Sequence, residues 1–259
     1  MDDAREPLFE KGVDYGAQSW RAVAEQRAAG RQPLVVIPSG AIEVYGPHLP
    51  LGSDSVVAAA VARRVARELD AVCTPLIPVG YSRDLMSHPG TLTVTADAFR
   101  AYFEGVCLSL VHWGFRDLLF LNTHAGNVGL IDQVALDLIE QHGVRCLQID
   151  WWRYANRVAA DLMSGGPWVV GHAGELGTSV LLEVAPELVD LSAAVDEEPE
   201  GDPWPAGLER YDTYADHSES GVMGRPSLAS AEKGKAIVER CVAQICRDAR
   251  EHFETGESR

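Results

Sequence analysis

The chain has 259 residues, a formal net charge of −16 and 46% hydrophobic residues. That length and apolar content suit one large α/β unit, and with no internal repeat the chain is read as a single domain over 1–259. The negative field repels phosphate, which predicts no nucleic acid and no anionic membrane surface among its partners, and no apolar run approaches the roughly 18 residues a membrane span needs.

Apolar runs and helical patterns alternate along the sequence. PLVVIPSG reads as a buried strand and VVAAAVARRVARELD as a helix. AVCTPLIPVG is a second strand, and ADAFRAYFEGVCLSLVHWG a helix with apolar residues recurring at three and four. DLLFLN, GLIDQVALDLIEQHG and VRCLQIDWW continue as strand, helix and strand. ELGTSVLLEVAPELV is a helix that ends near Pro186, and EKGKAIVERCVAQICRDAREHFE is an amphipathic closing helix. This rhythm predicts an α/β fold with a mainly parallel sheet covered on both faces. Right-handed crossovers then bring PSG, NTH and the loop after QIDWW to one sheet edge. The Pro-, Gly- and acid-rich stretch from about Asp196 to Ser230 reads as a long excursion that packs at a subunit interface or covers a pocket. Five cysteines form no CxxC pair, which predicts reduced thiols and a cytoplasmic setting, and the acidic, polar N-terminus is no signal peptide.

Three stretches carry candidate chemistry: GAIEVYGPHLPLGSDS, LFLNTHAGN and GHAGELGTS. They supply Glu43, His48 and Asp54, then His124, then His172 and Glu175. Carboxylates mixed with imidazoles suit Zn, Mn or Fe(II). Each residue also has an ordinary alternative. Asp54 stands where a helix N-cap is expected, and Glu175 where a helix dipole favours an acid. His124 could be tied within its turn, with Asn122 and Asn127 bracing it. Glu43 follows an apolar strand, where an unpaired carboxylate is expensive to bury. His172 is a candidate proton carrier, because imidazole titrates near neutrality. Trp151, Trp152 and Trp168 stand as core or as an aromatic wall over a flat substrate. His88 is assigned to a turn, and His112, His142 and His252 to the surface.

These blocks together resemble the creatininase (creatinine amidohydrolase) family. Its Glu-x-His-Gly-Pro-His-Leu-Pro block, with an Asp eleven residues after the Glu, is EVYGPHLPLGSD here. HPGTLTV, NTHAGN, HAGELGTS with APELVDLS, and GVMGRP follow in family order, from about Pro38 to Gly234. The resemblance implies a three-layer α/β/α fold and a homo-oligomer, often hexameric. It also implies a divalent-metal site that activates water to cleave the C–N bond of an amide or cyclic amide in a small-molecule substrate. Carried over position by position, Glu43, Asp54 and His124 match the ligands of the first metal, and His172 matches the proton shuttle. Tyr45 stands where the family has the second-metal histidine. Gly126 and Gly177 stand where relatives carry a second-metal Glu, and Leu85 where many have His. The expectation is therefore one ion (Zn, Fe(II) or Mn) per chain. Tyr45 and Glu175 join His172 in catalysis, and His48, Trp168 and Asn127 line the substrate side. The same apparatus could run in reverse, towards amide formation or cyclisation. Two other readings stay open: a regulatory protein of this fold without catalysis, and a two-metal hydrolase with Tyr45 and Glu175 as unusual ligands.

Overall fold

The computed structural model describes residues 9–30, 33–164, 166, 168, 171–200 and 212–254. Four parallel strands form its sheet: β1 (Val35–Ser39), β2 (Val72–Cys73), β3 (Asp117–Asn122) and β4 (Arg145–Asp150), in the order β2-β1-β3-β4. The helices are α1 (Trp20–Ala28), α2 (Ser53–Glu68), α3 (Ala96–His112), α4 (Val128–His142), α5 (Trp151–Val158), α6 (Glu175–Val184) and α7 (Ala231–Glu254). Side chains alternate across a strand, so β1 and β3 feed two cores. Val35, Ile37, Leu118 and Phe120 pack with α3 and α4 through Phe99, Phe103, Ile131 and Val134. Val36, Leu119 and Leu121 pack with α2, α6 and α7 through Val61, Val65, Val180, Ile237 and Ile245. The expected helix–sheet–helix layering is present.

Three elements differ from the sequence reading. AVCTPLIPVG yields only the two-residue β2 and an isolated bridge from Ser39 to Ile77. Pro75 and Pro78 carry no N–H to extend the ladder. β4 stops at Asp150, and the tryptophans open α5, a helix the sequence did not announce. α1 was also missed: it buries no residue and so shows no apolar stripe. Among the described residues no helix is long and apolar enough to cross a membrane.

Strand register positions the site. Ser39 pairs with Asn122, and Asn122 with Asp150, so β1, β3 and β4 end side by side at one sheet edge. Gly40 then lets the first turn of α2 come close: a Cβ there would lie 2.7 Å from Cα of Ser55. That approach holds Asp54 against the end of β1.

Candidate metal centre

Glu43, Asp54 and His124 are all buried, and each offers one ligand atom within 4.8 Å of the others. His124 Nδ1 lies 2.9 Å from Glu43 Oε2 and 3.3 Å from Asp54 Oδ2. Its Nε2 donates to the Tyr81 carbonyl at 2.9 Å, with Ser82 Oγ 3.1 Å away. A carbonyl can only accept, so Nε2 keeps a proton whether the ring is charged or neutral, and Nδ1, facing the two carboxylates, is the nitrogen a neutral ring would offer to a metal. Ser82 also donates to Glu43 Oε2 at 2.9 Å. Asp54 is no N-cap. The cap position of α2 is Gly52, and Asp54 Oδ1 instead accepts from Trp152 Nε1 at 2.9 Å.

The electrostatics fit a cation. Burial raises Glu43, but the neighbouring His124 and His172 outweigh it and hold the carboxyl at about 2. Burial and then the charge of Glu43 push Asp54 up to about 6. Burial works against a charged His124, yet the two carboxylates lift it well above its usual value, so the imidazolium balances them. A buried carboxylate pair that draws positive charge into itself, with an imidazole nitrogen facing both acids, suits one divalent ion.

The positions where the resemblance implies second-metal ligands hold no carboxylate or imidazole here. A Cβ on Gly126 would lie 2.2 Å from the Tyr81 carbonyl oxygen that anchors His124, so no carboxylate side chain fits there without displacing it. A Cβ on Gly177 would meet the Tyr45 ring at 3.3 Å, and Leu85 is buried and apolar. The Tyr45 phenol is buried close to Asp54. Burial, then the charges of Asp54 and Glu43, hold it well above its usual range, so it stays neutral.

His172 stands beside this cluster. Its Nδ1 donates to the Gly221 carbonyl at 2.9 Å, which leaves Nε2, 3.3 Å from Glu43 Oε1, as the atom that can gain or lose a proton. The Tyr45 ring lies 4.3 Å from the His172 ring. Ala173, the next residue, sits at φ +53, a left-handed conformation that sets the direction of the chain into α6.

These groups open into a cavity of about 330 Å³. Trp168, Tyr45 and His172 line it, with Trp152 as a further wall. Three assigned residues lie outside that lining. His48 is buried under α6, with Nε2 2.8 Å from Thr178 Oγ1, and burial lowers it to about 4. Asn127 spends its amide on Tyr81 N, the Gly40 carbonyl and Asn122, so it braces the turn. Glu175 is fully buried, paired with Lys233 and bonded by Ser164 N and Oγ, which makes it a structural anchor; it holds no place at the cavity or among the ligands. His88 sits at a turn, as read.

The sequence reading missed Asp84, Asp150 and Tyr214, which all line the cavity. Asp150 ends β4, and the strand reading that ran on through the tryptophans obscured it. Tyr214 and Met223 come from the long excursion, whose described part therefore covers the pocket; residues 201–211, Trp204 among them, lie outside the described residues.

A family model described as creatininase, creatinine amidohydrolase, matches residues 17–248. The chain is 28% identical to the creatinine amidohydrolase of Pseudomonas putida over 262 residues, covering 94% of this chain and 98% of the relative. It is 34% identical to the mycofactocin precursor peptide peptidase of Mycobacterium ulcerans over 230 residues, covering 83% and 85%. Among solved structures, a manganese creatininase superposes with a TM-score of 0.78 at 26% identity, over 93% of this chain and 98% of that one. A mutant creatininase of Zn–Zn type gives 0.80 at 25%, over 94% and 99%. With the strand-edge carboxylates and histidine already in place, these matches show that the chain belongs to the creatininase family of metal-dependent amidohydrolases.

Proposed function

We propose that this enzyme hydrolyses the C–N bond of an amide or cyclic amide in a small-molecule substrate, using one divalent ion held by Glu43, Asp54 and His124. The observation that carries the reading is the convergence of three buried ligand atoms at the strand edge, beside positions where a second set is replaced by Tyr45, Gly126 and Gly177. A divalent ion bound there supplies Lewis-acid polarisation and an acidified water. Trp152 holds Asp54 in place through its hydrogen bond, with Tyr45 packed close by. His172 Nε2 moves the proton, taking it from the attacking water and giving it to the leaving nitrogen, while the bond from Nδ1 to Gly221 fixes the tautomer. Trp168 and Trp152 wall off bulk water. The same groups serve the reverse condensation, because both directions share a transition state.

The ion is Zn, Mn or Fe(II), all compatible with mixed oxygen and nitrogen ligands. Relatives named for manganese and zinc support the first two choices. We further propose a cytoplasmic homo-oligomer. The free thiols, four of them buried, support the compartment, and the exposed Trp20, Tyr102 and Trp113 support association. The test is metal content by mass spectrometry, with turnover of creatinine, formamides and short peptides before and after chelation. We expect about one ion per chain, lost in Asp54→Asn, and activity restored by adding metal back. Unchanged stoichiometry in Asp54→Asn would remove the ligand assignment; two ions per chain would restore the two-metal reading.

A further inference from the structure

Tyr214 is a group of the cavity that the mechanism above leaves unused. It opens a short 3-10 turn, Tyr214–Asp216, closed by Thr213 N and Oγ1, each donating to Asp216 Oδ2 at 2.8 Å. The turn is seated on the 83–88 segment. Ala215 N donates to Ser87 Oγ at 3.2 Å, and His88 Nε2 to the Glu219 carbonyl at 3.2 Å. The ring of His88 packs on Tyr214 edge to face at 6.0 Å. On its inner side the Tyr214 ring reaches His172, with centroids 5.1 Å apart.

The hydroxyl at the end of this ring is buried, and it has no hydrogen-bond partner among the described residues. Buried hydroxyls in native proteins are nearly always bonded, so an orphan that lines a cavity marks a place where a ligand atom belongs. Several other donors around the ion site are committed. A phenol has one O–H, and Tyr45 has the Asp54 carboxylate close by as an acceptor for it. Trp152 Nε1 also bonds Asp54, Thr123 Oγ1 bonds the Asp54 carbonyl at 2.8 Å, and His172 Nδ1 bonds Gly221. Glu43, Asp84 and Asp150 face the same space and, as carboxylates, only accept. Tyr214 offers the site a neutral donor for the oxygen that gains charge as water adds to an amide. Burial and the charges of Glu43, Asp84 and Glu197 keep the Tyr214 phenol protonated.

We infer that Tyr214 is a catalytic residue, whose hydroxyl donates a hydrogen bond to the scissile carbonyl oxygen of the substrate. The inference rests on the amidohydrolase reading of the same cavity. It gives this donation to Tyr214 rather than to Tyr45, and it gives the excursion between α6 and α7 a catalytic purpose. The hydrogen bond strengthens as the carbonyl oxygen becomes an oxyanion, so its loss acts mainly on turnover.

The test compares full-length wild type and Tyr214→Phe, both loaded with manganese. Acetohydroxamate is the calorimetric probe, because its carbonyl oxygen is an acceptor a neutral phenol can recognise. Expected are unchanged manganese stoichiometry, an unchanged or slightly higher melting temperature, and about tenfold weaker acetohydroxamate binding. On whichever panel amide the wild type cleaves, kcat/KM should fall about 10²-fold, mostly in kcat. Tyr214→Phe within twofold of wild type in both binding and turnover would overturn the inference while leaving the amidohydrolase reading intact. A wild type that holds no metal would instead fail at the reading beneath it and take the inference with it.

Discussion

Lys233→Met should cost this protein about 3 kcal/mol without touching its metal site. Glu175 opens α6 with its side chain fully buried, and the Lys233 ammonium pairs with its Oε1. Lys233 also donates to Ser164 Oγ at 2.9 Å and the Leu228 carbonyl at 2.8 Å, so one cation joins the 164 segment, the chain before α7 and the start of α6. Removing one partner of a buried pair costs about 3–5 kcal/mol, because the other charge stays buried and unpaired. The low end applies here. The lysine is 27% exposed, so water screens part of the pair, and Ser164 N and Oγ still bond the carboxylate. For a domain of this size the loss corresponds to a fall in Tm of roughly 6–12 °C. Urea unfolding at pH 7, with melting curves on the metal-loaded protein, measures it. Glu175→Gln combined with Lys233→Met leaves no buried charge and should recover most of the loss. The reasoning is refuted if Lys233→Met costs under about 1 kcal/mol, or if the double variant is no more stable than the single one. Glu175→Gln alone should keep its metal, which separates the anchoring role from a ligand or catalytic one.

Two further outcomes concern the framework around the site. His48 is held at about 4, below the reference near 6.5, so between those values the unfolded chain binds the extra proton. Stability should therefore fall as pH drops from about 6.5 towards 4, by at most about 3 kcal/mol, and His48→Gln should flatten that slope in urea melts at pH 7 and 4.5; an unchanged slope would discount the residue. Gly234→Ala places a Cβ 1.8 Å from the Ser179 carbonyl oxygen, which forces α6 and α7 apart and should cost about 2 kcal/mol even after the gain in helix propensity. Gly105→Ala in α3 meets nothing within 4 Å and should instead stabilise by about 0.5–1 kcal/mol, so a Tm that moves the same way in both variants would contradict the close-approach argument.

The layered α/β architecture was legible because burial imposes periodicity. β1 and β3 are almost wholly buried on both faces and read as apolar runs, while α3 and α4 carry apolar residues three and four apart. Helix α1 buries nothing and left no such mark. The site divides in the same way. Glu43, Asp54, His124 and His172 stand at strand ends and at the approach to a helix, where local sequence already dictates the turn of the chain. The sequence thus determined which residues could meet at the ion. It could not decide how Glu175, His48 or Asn127 spend their hydrogen bonds, because the deciding partners lie far along the chain: Lys233 is 58 residues from Glu175, Thr178 is 130 from His48, and Gly40 is 87 from Asn127. Nor could it bring Tyr214 to His172, since that contact depends on the seat that Ser87 and His88 offer to the excursion. A side chain's residue type fixes the chemistry it can perform, but only the packed tertiary structure fixes whether its one proton or lone pair is already taken.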